Sequence, residues 1–167
     1  MAKDPESLLK QLEDIYGYKL EGSGPIKYHL QCDYFKDQDG NLTYAPQKYF
    51  KKLIENFTGM FGHKPKQYTS PLNSNNHPEL DTSEDLNHND IKNYQSMIGS
   101  LQWAISLGRF DLSTAVITLS SFHIASRQGH LERANCIQGY LVKFNDSAIR
   151  FRTQQPNYSN IDIKEHN

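Results

Sequence analysis

Three apolar stripes with helical spacing constrain the fold of this chain more than any other feature of its sequence. Each stripe repeats at intervals of three and four residues, which places its side chains on one face of a helix. Gly108 is predicted to end the first helix, since glycine tolerates left-handed backbone, and Asp111 is predicted to cap the second. The spacing therefore predicts a helical bundle over residues 90–145. The stripes comprise Ile91, Tyr94, Ile98, Leu101 and Ile105, then Leu112, Ala115, Val116, Leu119 and Phe122, then Leu131, Ala134, Ile137, Leu141 and Phe144.

Two more helices are predicted before the bundle. The first covers residues 3–17, where Asp4 and Pro5 are typical of a helix start and Leu8, Leu12 and Ile15 form a stripe that we expect to be buried. The second begins after Pro46 and directs its lysines outward. Its inward residues are predicted to be Tyr49, Phe50, Leu53, Ile54 and Phe57.

A β-hairpin is predicted between these two helices. Residues 26–35 alternate between apolar and polar side chains, which is typical of a half-buried strand. Residues 37–40 have turn chemistry, and residues 42–45 return as the second strand. Residues 18–24 are predicted to form a short strand or loop.

The fold class is therefore predicted to be α+β, with four consecutive segments. Residues 1–58 hold the hairpin and its flanking helices, and residues 59–89 form a long linker loop, because they are rich in Gly, Pro, Asn and Ser. The helical bundle occupies residues 90–145. Residues 146–167 contain a short strand near residues 148–152, followed by a polar tail beyond Gln154 that we expect to be loosely held.

Composition predicts an intracellular protein, cytoplasmic or nuclear, with no membrane segment. The chain has no basic leader with an apolar centre and no long apolar run. Cys32 and Cys136 lie far apart in the sequence, and we interpret them as two free thiols in a reducing compartment. The net charge of −1 gives no overall attraction to nucleic acid.

No metal site is predicted from the spacing of possible ligands. His63, His77, His88 and His130 lack metal-ligand spacing, so we interpret them as surface or capping residues. The acidic residues near Gly40 do not fit a calcium loop and are interpreted as a hairpin turn. Trp103 is predicted to lie in the core, beside the apolar stripe.

The bundle closely resembles the segment that follows the polymerase active site in reverse transcriptases of copia-type LTR retrotransposons. The resemblance lies in residues 94–122, YQSMIGSLQWAISLGRFDLSTAVITLSSF, and in residues 129–141, GHLERANCIQGYL. It extends over about residues 3–159 in the order of the family. The matching positions of the bundle are Tyr94, Gly99, Leu101, Arg109, Asp111, Ala115, Val116, Leu119, Ser120, Phe122, His130, Ile137, Tyr140 and Leu141, and those of the hairpin region are Gly24, Leu30, Asp39, Gly40, Gln47, Lys48, Tyr49 and Leu53.

The resemblance implies a piece of a Pol polyprotein that lacks both catalytic centres. The family's polymerase carboxylates lie on a Tyr-x-Asp-Asp motif, which this sequence does not contain, and the chain stops before the first acidic residue of the family's ribonuclease H domain. No catalytic residue is therefore predicted, and the chain is not expected to be an enzyme on its own. Mg²⁺ is implied only for the complete polymerase, in which two metal ions activate the primer hydroxyl.

Two sets of residues are implied to contact an RNA or DNA primer–template. The hairpin set resembles a primer grip, and the bundle set resembles the nucleic-acid face of a thumb. The alternative for the bundle set is a solvated helix face whose stems cover apolar neighbours. The hairpin set is Lys27, His29, Gln31, Gln47 and Lys48, and the bundle set is Arg109, Arg127, Arg133 and Lys143, with Arg150 and Arg152 beyond it.

Three positions depart from the family pattern. Gln31 stands where the family usually has glycine, Phe110 replaces the proline of its Arg-Pro-Asp motif, and Cys136 replaces a frequent basic residue.

Two functions remain open from the sequence. The first is a retrotransposon reverse transcriptase fragment that grips primer–template and needs the missing fingers, palm and ribonuclease H parts as partners. The alternative is a non-catalytic module, derived from a retroelement, that binds protein or nucleic acid. Binding that weakens steeply with salt would favour the first.

Overall fold

The computed structural model describes residues 4–17, 25–72 and 77–152. Within these ranges the chain has five α-helices and a four-stranded antiparallel sheet, which confirms the predicted α+β class. The predictions for residues 18–24 and for the tail beyond Gln154 lie outside the described residues. The helices are α1 (Pro5–Tyr16), α2 (Gln47–Phe61), α3 (His88–Ser106), α4 (Ser113–Ser120) and α5 (Gln128–Lys143), and the strands are β1 (Tyr28–His29), β2 (Cys32–Lys36), β3 (Leu42–Ala45) and β4 (Ile149–Phe151).

The main hydrophobic core lies between α2, α3, α4 and α5. Most residues of the predicted bundle stripes are buried, while Ile91, Ile105, Phe122 and Phe144 are only partly buried. Helix α2 adds Phe50, Leu53 and Phe57 to the same core. The Tyr94 hydroxyl crosses this core and donates to the backbone oxygen of Leu119 at 2.6 Å, so α3 and α4 are joined by a hydrogen bond as well as by packing. None of the described helices is long and apolar enough to cross a membrane.

The junction between α3 and α4 differs from its prediction at one residue. Gly108 has a φ of 102° just beyond α3, which confirms that glycine ends this helix. Asp111 does not cap α4, because a 3-10 turn at Phe110–Leu112 precedes the helix. The carboxylate of Asp111 instead accepts two hydrogen bonds from Arg109. The predicted cap is therefore wrong, and Asp111 forms an ion pair with Arg109.

The sheet contains the predicted hairpin and the predicted carboxy-terminal strand. β4 pairs with β3, with Thr43 opposite Arg150, so the strand near the end of the described chain completes the sheet of the hairpin. The single strand predicted over residues 26–35 is wrong, because a turn at Leu30 and Gln31 divides it into β1 and β2. A two-residue turn keeps the even spacing of the apolar positions, so alternation alone does not detect it.

Helix α1 forms at Pro5–Tyr16, but its apolar stripe is not buried. Leu8, Leu12 and Ile15 are 50%, 36% and 68% exposed, because the described part of the chain leaves this face largely uncovered. Trp103 was also predicted in the core and is 41% exposed. Its position on α3 lies beside the buried stripe, so part of the indole remains in contact with water.

The segment between α2 and α3 is mostly irregular where it is described, but it is not a detached loop. Helix α2 continues to Phe61, and a 3-10 turn forms at Pro78–Leu80. Asp85 then pairs with Arg127 in an isolated antiparallel bridge. The segment is thus attached to the start of α5.

The exposure of α1 predicts that polar substitutions on its apolar face cost little stability. We expect the double variant Leu12→Glu/Ile15→Glu to change the free energy of unfolding by less than about 0.5 kcal/mol, as surface substitutions usually do. Leu101→Ala, which opens a cavity in the bundle, should cost about 2–5 kcal/mol in the same urea titration. A loss above about 2 kcal/mol in the double variant would show that the stripe is buried.

The turn between β1 and β2 predicts that glycine at position 31 stabilises the protein. Leu30 and Gln31 have φ values of 47° and 66°, a left-handed conformation that costs a residue with a Cβ atom about 1–2 kcal/mol. We expect Gln31→Gly to raise the free energy of unfolding by about 0.5–1 kcal/mol in urea titration, since glycine adopts this φ without strain. The control, Gln38→Gly, lies in the next turn without a positive φ and should lower stability slightly.

Candidate nucleic-acid-binding surfaces

An ion pair and a cation–π contact attach the start of α2 to the hairpin. The Nζ of Lys48 lies 2.9 Å from Oδ1 of Asp33 and 4.4 Å from the ring centroid of Tyr28. The hydrogen bond to Asp33 is the main reason that the pKa of Lys48 is raised. Lys48, which lies well after these strands in the sequence, therefore contacts both β1 and β2.

The hairpin set is exposed, but its members do not share one face of the sheet. Lys27, His29, Gln31, Gln47 and Lys48 are all exposed. Tyr28 is paired with Asp33 across the strands, so both side chains lie on the face that Lys48 contacts. His29 is paired with Cys32 and projects from the opposite face, because successive side chains of a strand alternate. Gln31 lies at the tip of the turn.

Arg109 of the bundle set is buried and fully engaged within the protein. Its side chain is 3% exposed, and its Nε and Nη2 atoms donate to the two carboxylate oxygens of Asp111 at 2.9 and 2.8 Å. Nη1 donates to the backbone oxygen of Phe144 at 2.8 Å. The guanidinium carbon lies 5.4 Å from the ring centroid of Phe50 and 5.6 Å from that of Tyr140. A phosphate could not reach this group without breaking these contacts.

The charge of Arg109 determines the ionisation of Asp111. Burial alone would raise the pKa of Asp111, but the hydrogen bonds and the charge of the guanidinium hold it below its ordinary value. The pair therefore stays ionised at neutral pH. The prediction that Arg109 faces a nucleic acid is replaced by a structural role, in which it connects α2, the Phe110–Leu112 turn and α5.

Arg127 and Arg133 hold the segment before α3 against the start of α5. Nη1 of Arg127 donates to the backbone oxygen of Ser83 at 2.6 Å, and its Nη2 lies 3.5 Å from Asp85. Arg133 forms an ion pair with Asp81, and the two side chains are 22% and 7% exposed. These arginines are thus engaged by the protein's own carboxylates and carbonyl groups.

Asp81 is the centre of this attachment. Burial alone would raise the pKa of its carboxyl, but hydrogen bonds from the Ser83 hydroxyl, from Arg133 and from the Ser83 backbone lower the pKa from 3.8 to about 2. Gly129 makes this approach possible, since a Cβ atom there would overlap the carboxylate of Asp81. The Ser83 hydroxyl also accepts from the backbone N–H of Gly129 at 2.8 Å, within the first turn of α5.

His130, in the first turn of α5, also contacts the segment that precedes α3. Its side chain is 2% exposed, and Nδ1 accepts from the backbone N–H of Arg127 at 3.0 Å. Nε2 lies 2.9 Å from the backbone oxygen of Pro78, which can only accept, so this nitrogen carries the proton. The neutral tautomer therefore satisfies both contacts. The interpretation of His130 as a capping residue is confirmed, and its long-range contact with Pro78 had no signal in the sequence.

Several lysines of α2 and α5 are exposed and can contribute positive charge to a binding surface. Lys143, the last residue of α5, is exposed, with its Nζ 5.8 Å from the ring centroid of Phe144. Lys51 and Lys52 are exposed on α2, within a turn of Lys48. The helical spacing of α2 indicated that these lysines point outward, but they were not assigned to a site. Arg150 and Arg152 are also exposed, and Arg150 pairs with Asp37 at 2.7 Å.

No metal or cofactor is assigned to these surfaces. Among residues 4–17, 25–72 and 77–152, no group of three or more His, Cys, Asp or Glu side chains is placed to hold a metal ion. The chemistry available to the two sets is hydrogen bonding and charge attraction, which are the interactions that position a nucleic-acid backbone.

Comparison with known proteins indicates a mobile-element origin. The chain is similar to the Saccharomyces cerevisiae protein named "Putative transposon Ty5-1 protein YCL074W", with 27% identity over 139 residues. The match covers 81% of this chain and 42% of that protein, so the chain spans less than half the length of this relative. No protein-family model matches the chain, and no solved structure matches it. The similarity supports derivation of the chain from a retrotransposon.

The burial of Arg109 predicts that neutralising its partner is costly. Asp111→Asn keeps the shape of the side chain but leaves the guanidinium without a counter-charge. Because the Asp111 side chain is 40% exposed, solvent screens part of this interaction, and we expect a loss of about 2 kcal/mol in the free energy of unfolding. Asp146→Asn removes the same charge from an exposed side chain and should cost less than about 0.5 kcal/mol. Equal losses in the two urea titrations would contradict a structural role for the Arg109–Asp111 pair.

The lowered pKa of Asp81 predicts a loss of stability in acid. Because its carboxyl titrates near 2 in the folded protein, its contribution is present above its ordinary value of 3.8 and is lost as the pH falls toward 2. We expect Asp81→Asn to lower the Tm most at pH 6 and to approach the wild-type Tm only as the pH falls to about 2.

The control for this titration lies on the same segment. Asp85 has a side chain that is 79% exposed, so Asp85→Asn should shift the Tm only slightly. A deficit of Asp81→Asn that stays constant from pH 6 to pH 2 would contradict the assignment.

Proposed function

We propose that this chain is the part of a copia-type reverse transcriptase that follows the Tyr-x-Asp-Asp motif and that it helps to grip the primer–template. Two similarities of the sequence support the proposal. The sequence resembles that segment over most of its length, and the chain is similar to a yeast transposon protein. Its contribution is to bind and position nucleic acid, while the chemistry belongs to other parts of the polyprotein.

The observation that carries the proposal is the attachment of α2 to the hairpin through Lys48. The contacts of Lys48 with Asp33 and Tyr28 hold the start of α2, with Gln47 and Lys48, against the strands that follow Lys27. Gln47 is the first residue of α2 and is exposed, next to Lys48 in the sequence. Amide, imidazole and ammonium groups are the donors that contact phosphate and sugar oxygens in complexes with nucleic acid.

The contacts that the bundle arginines make within the protein change the proposed thumb-like contact. Because Arg109 is engaged inside the bundle, the exposed lysines of α2 and α5 are the cations of these helices that we expect to approach a duplex phosphate. We assign this role to Lys143 at the end of α5 and to Lys51 and Lys52 on α2. With a net charge of −1, the chain should bind weakly and lose affinity steeply as salt rises.

The proposed role needs no catalytic group in this chain. The sequence has no Tyr-x-Asp-Asp motif, so the carboxylates that would hold Mg²⁺ for polymerisation are expected in another part of the polyprotein. The fingers, the rest of the palm and the ribonuclease H domain are the proposed partners.

The proposal predicts a salt-dependent affinity that depends on the hairpin set. We expect the chain to bind a fluorescein-labelled RNA–DNA primer–template in fluorescence anisotropy at low salt. Lys27→Ala/Lys48→Ala should weaken binding and reduce the slope of log K against log salt by about 2, because each lost phosphate contact releases about one counterion fewer.

The matched control removes a lysine at the far end of the bundle. Lys92 is exposed near the start of α3, whereas the sheet contacts the other end of α3 at Gly108. Lys92→Ala should leave both the affinity and the salt slope close to wild type. No binding at low salt, or equal slopes in the two variants, would contradict the proposal.

A second candidate function follows from the uncovered face of α1. Five large apolar side chains of this helix are 36–68% exposed, which favours contact with another polypeptide. This agrees with a non-catalytic, protein-binding module derived from a retroelement. For this function we expect the acidic double variant Leu12→Glu/Ile15→Glu to lose binding to the partner protein. The unaltered chain should then have no measurable affinity for primer–template.

A further inference from the structure

A narrow crevice between α2, α3 and α5 ends at a buried amide. Its apolar wall includes Leu53, Phe57 and Met97, and its polar groups belong to Asn56, Ser100 and Gln138. Three helices of the bundle therefore contribute to one small, partly polar space.

The amide of Gln138 is the unusual group in this crevice. The side chain is 1% exposed, and its Oε1 atom has no hydrogen-bond partner among the residues that the structure describes. Burying a polar atom without a partner is unfavourable, so almost all such atoms in native proteins are paired with protein or with ordered water. In either orientation of the amide, the buried atom is one that needs a partner.

We propose that the crevice binds one structural water molecule that pairs with Gln138. The centre of a water molecule has about 10 Å³ in which to move there, which is close to the smallest space that holds a buried water. Asn56 supplies a second polar partner. The Ser100 hydroxyl supplies a third, since it donates to the backbone oxygen of Ser96 at 2.9 Å and can still accept. Two to four polar partners are typical of such sites.

This water connects α2 to α3 and α5 and supplies the hydrogen bond that Oε1 of Gln138 lacks. It bonds to Gln138 on α5, to Asn56 on α2 and to Ser100 on α3, so it links all three helices. The inference concerns the packing of α2 and does not depend on the proposed nucleic-acid function.

Water–protein cross-relaxation in NMR tests the proposal on the intact, isotope-labelled chain. We expect a cross-peak between water and the Gln138 side-chain amide with the sign of a water that stays longer than the protein tumbles. The exposed amide of Gln102 should show only the opposite sign, typical of mobile surface water. Absence of a long-lived cross-peak at Gln138 would overturn the proposal.

Two variants locate the water in the crevice. Asn56→Ala and Ser100→Ala each remove one proposed partner from outside the core, so each should weaken or abolish the cross-peak at Gln138. A cross-peak that persists unchanged in both variants would place the water elsewhere and overturn the proposed site.

Discussion

A buried guanidinium, that of Arg109, is the interaction on which the arrangement of this fold depends. Removing a charge from water is unfavourable unless it is paired and hydrogen-bonded. Here Asp111 supplies the charge, the backbone of Phe144 supplies a carbonyl, and the rings of Phe50 and Tyr140 lie close to the guanidinium. These groups come from α2, from the turn before α4 and from the end of α5. One side chain thus sets the relative positions of segments that are far apart in the sequence.

The helices of the bundle could be predicted from the spacing of their apolar residues. The three bundle helices follow directly from their apolar stripes, and Gly108 ends the first of them. The turn at Leu30 and Gln31 was not predictable, because neither residue type favours a positive φ and the alternation continues through it. The exposure of Leu12 was also hidden, since an amphipathic stripe indicates a face that can be covered and does not show what covers it.

The candidate site residues came from the family resemblance, and the sequence did not show which of them are accessible. Arg109 and Lys143 are equivalent as positive charges in a sequence, but one is buried against Asp111 and the other is exposed at a helix end. Only the fold separates an arginine that holds helices together from a lysine that remains accessible. The segment before α3 shows the same principle. Its many polar residues indicate a loop, yet Asp81 and Ser83 fasten it to α5 through long-range contacts that leave no periodic signal.

The pairing of β3 with β4 has a consequence for how the molecule is made. During synthesis, β3 leaves the ribosome about 100 residues before β4, a delay on the order of ten seconds at ordinary rates of translation. The bundle helices, whose contacts are more local, emerge and can associate within that interval. Until Ile149–Phe151 arrives, β3 presents an unpaired edge to other chains. The last described strand therefore closes a site of possible aggregation at the end of folding.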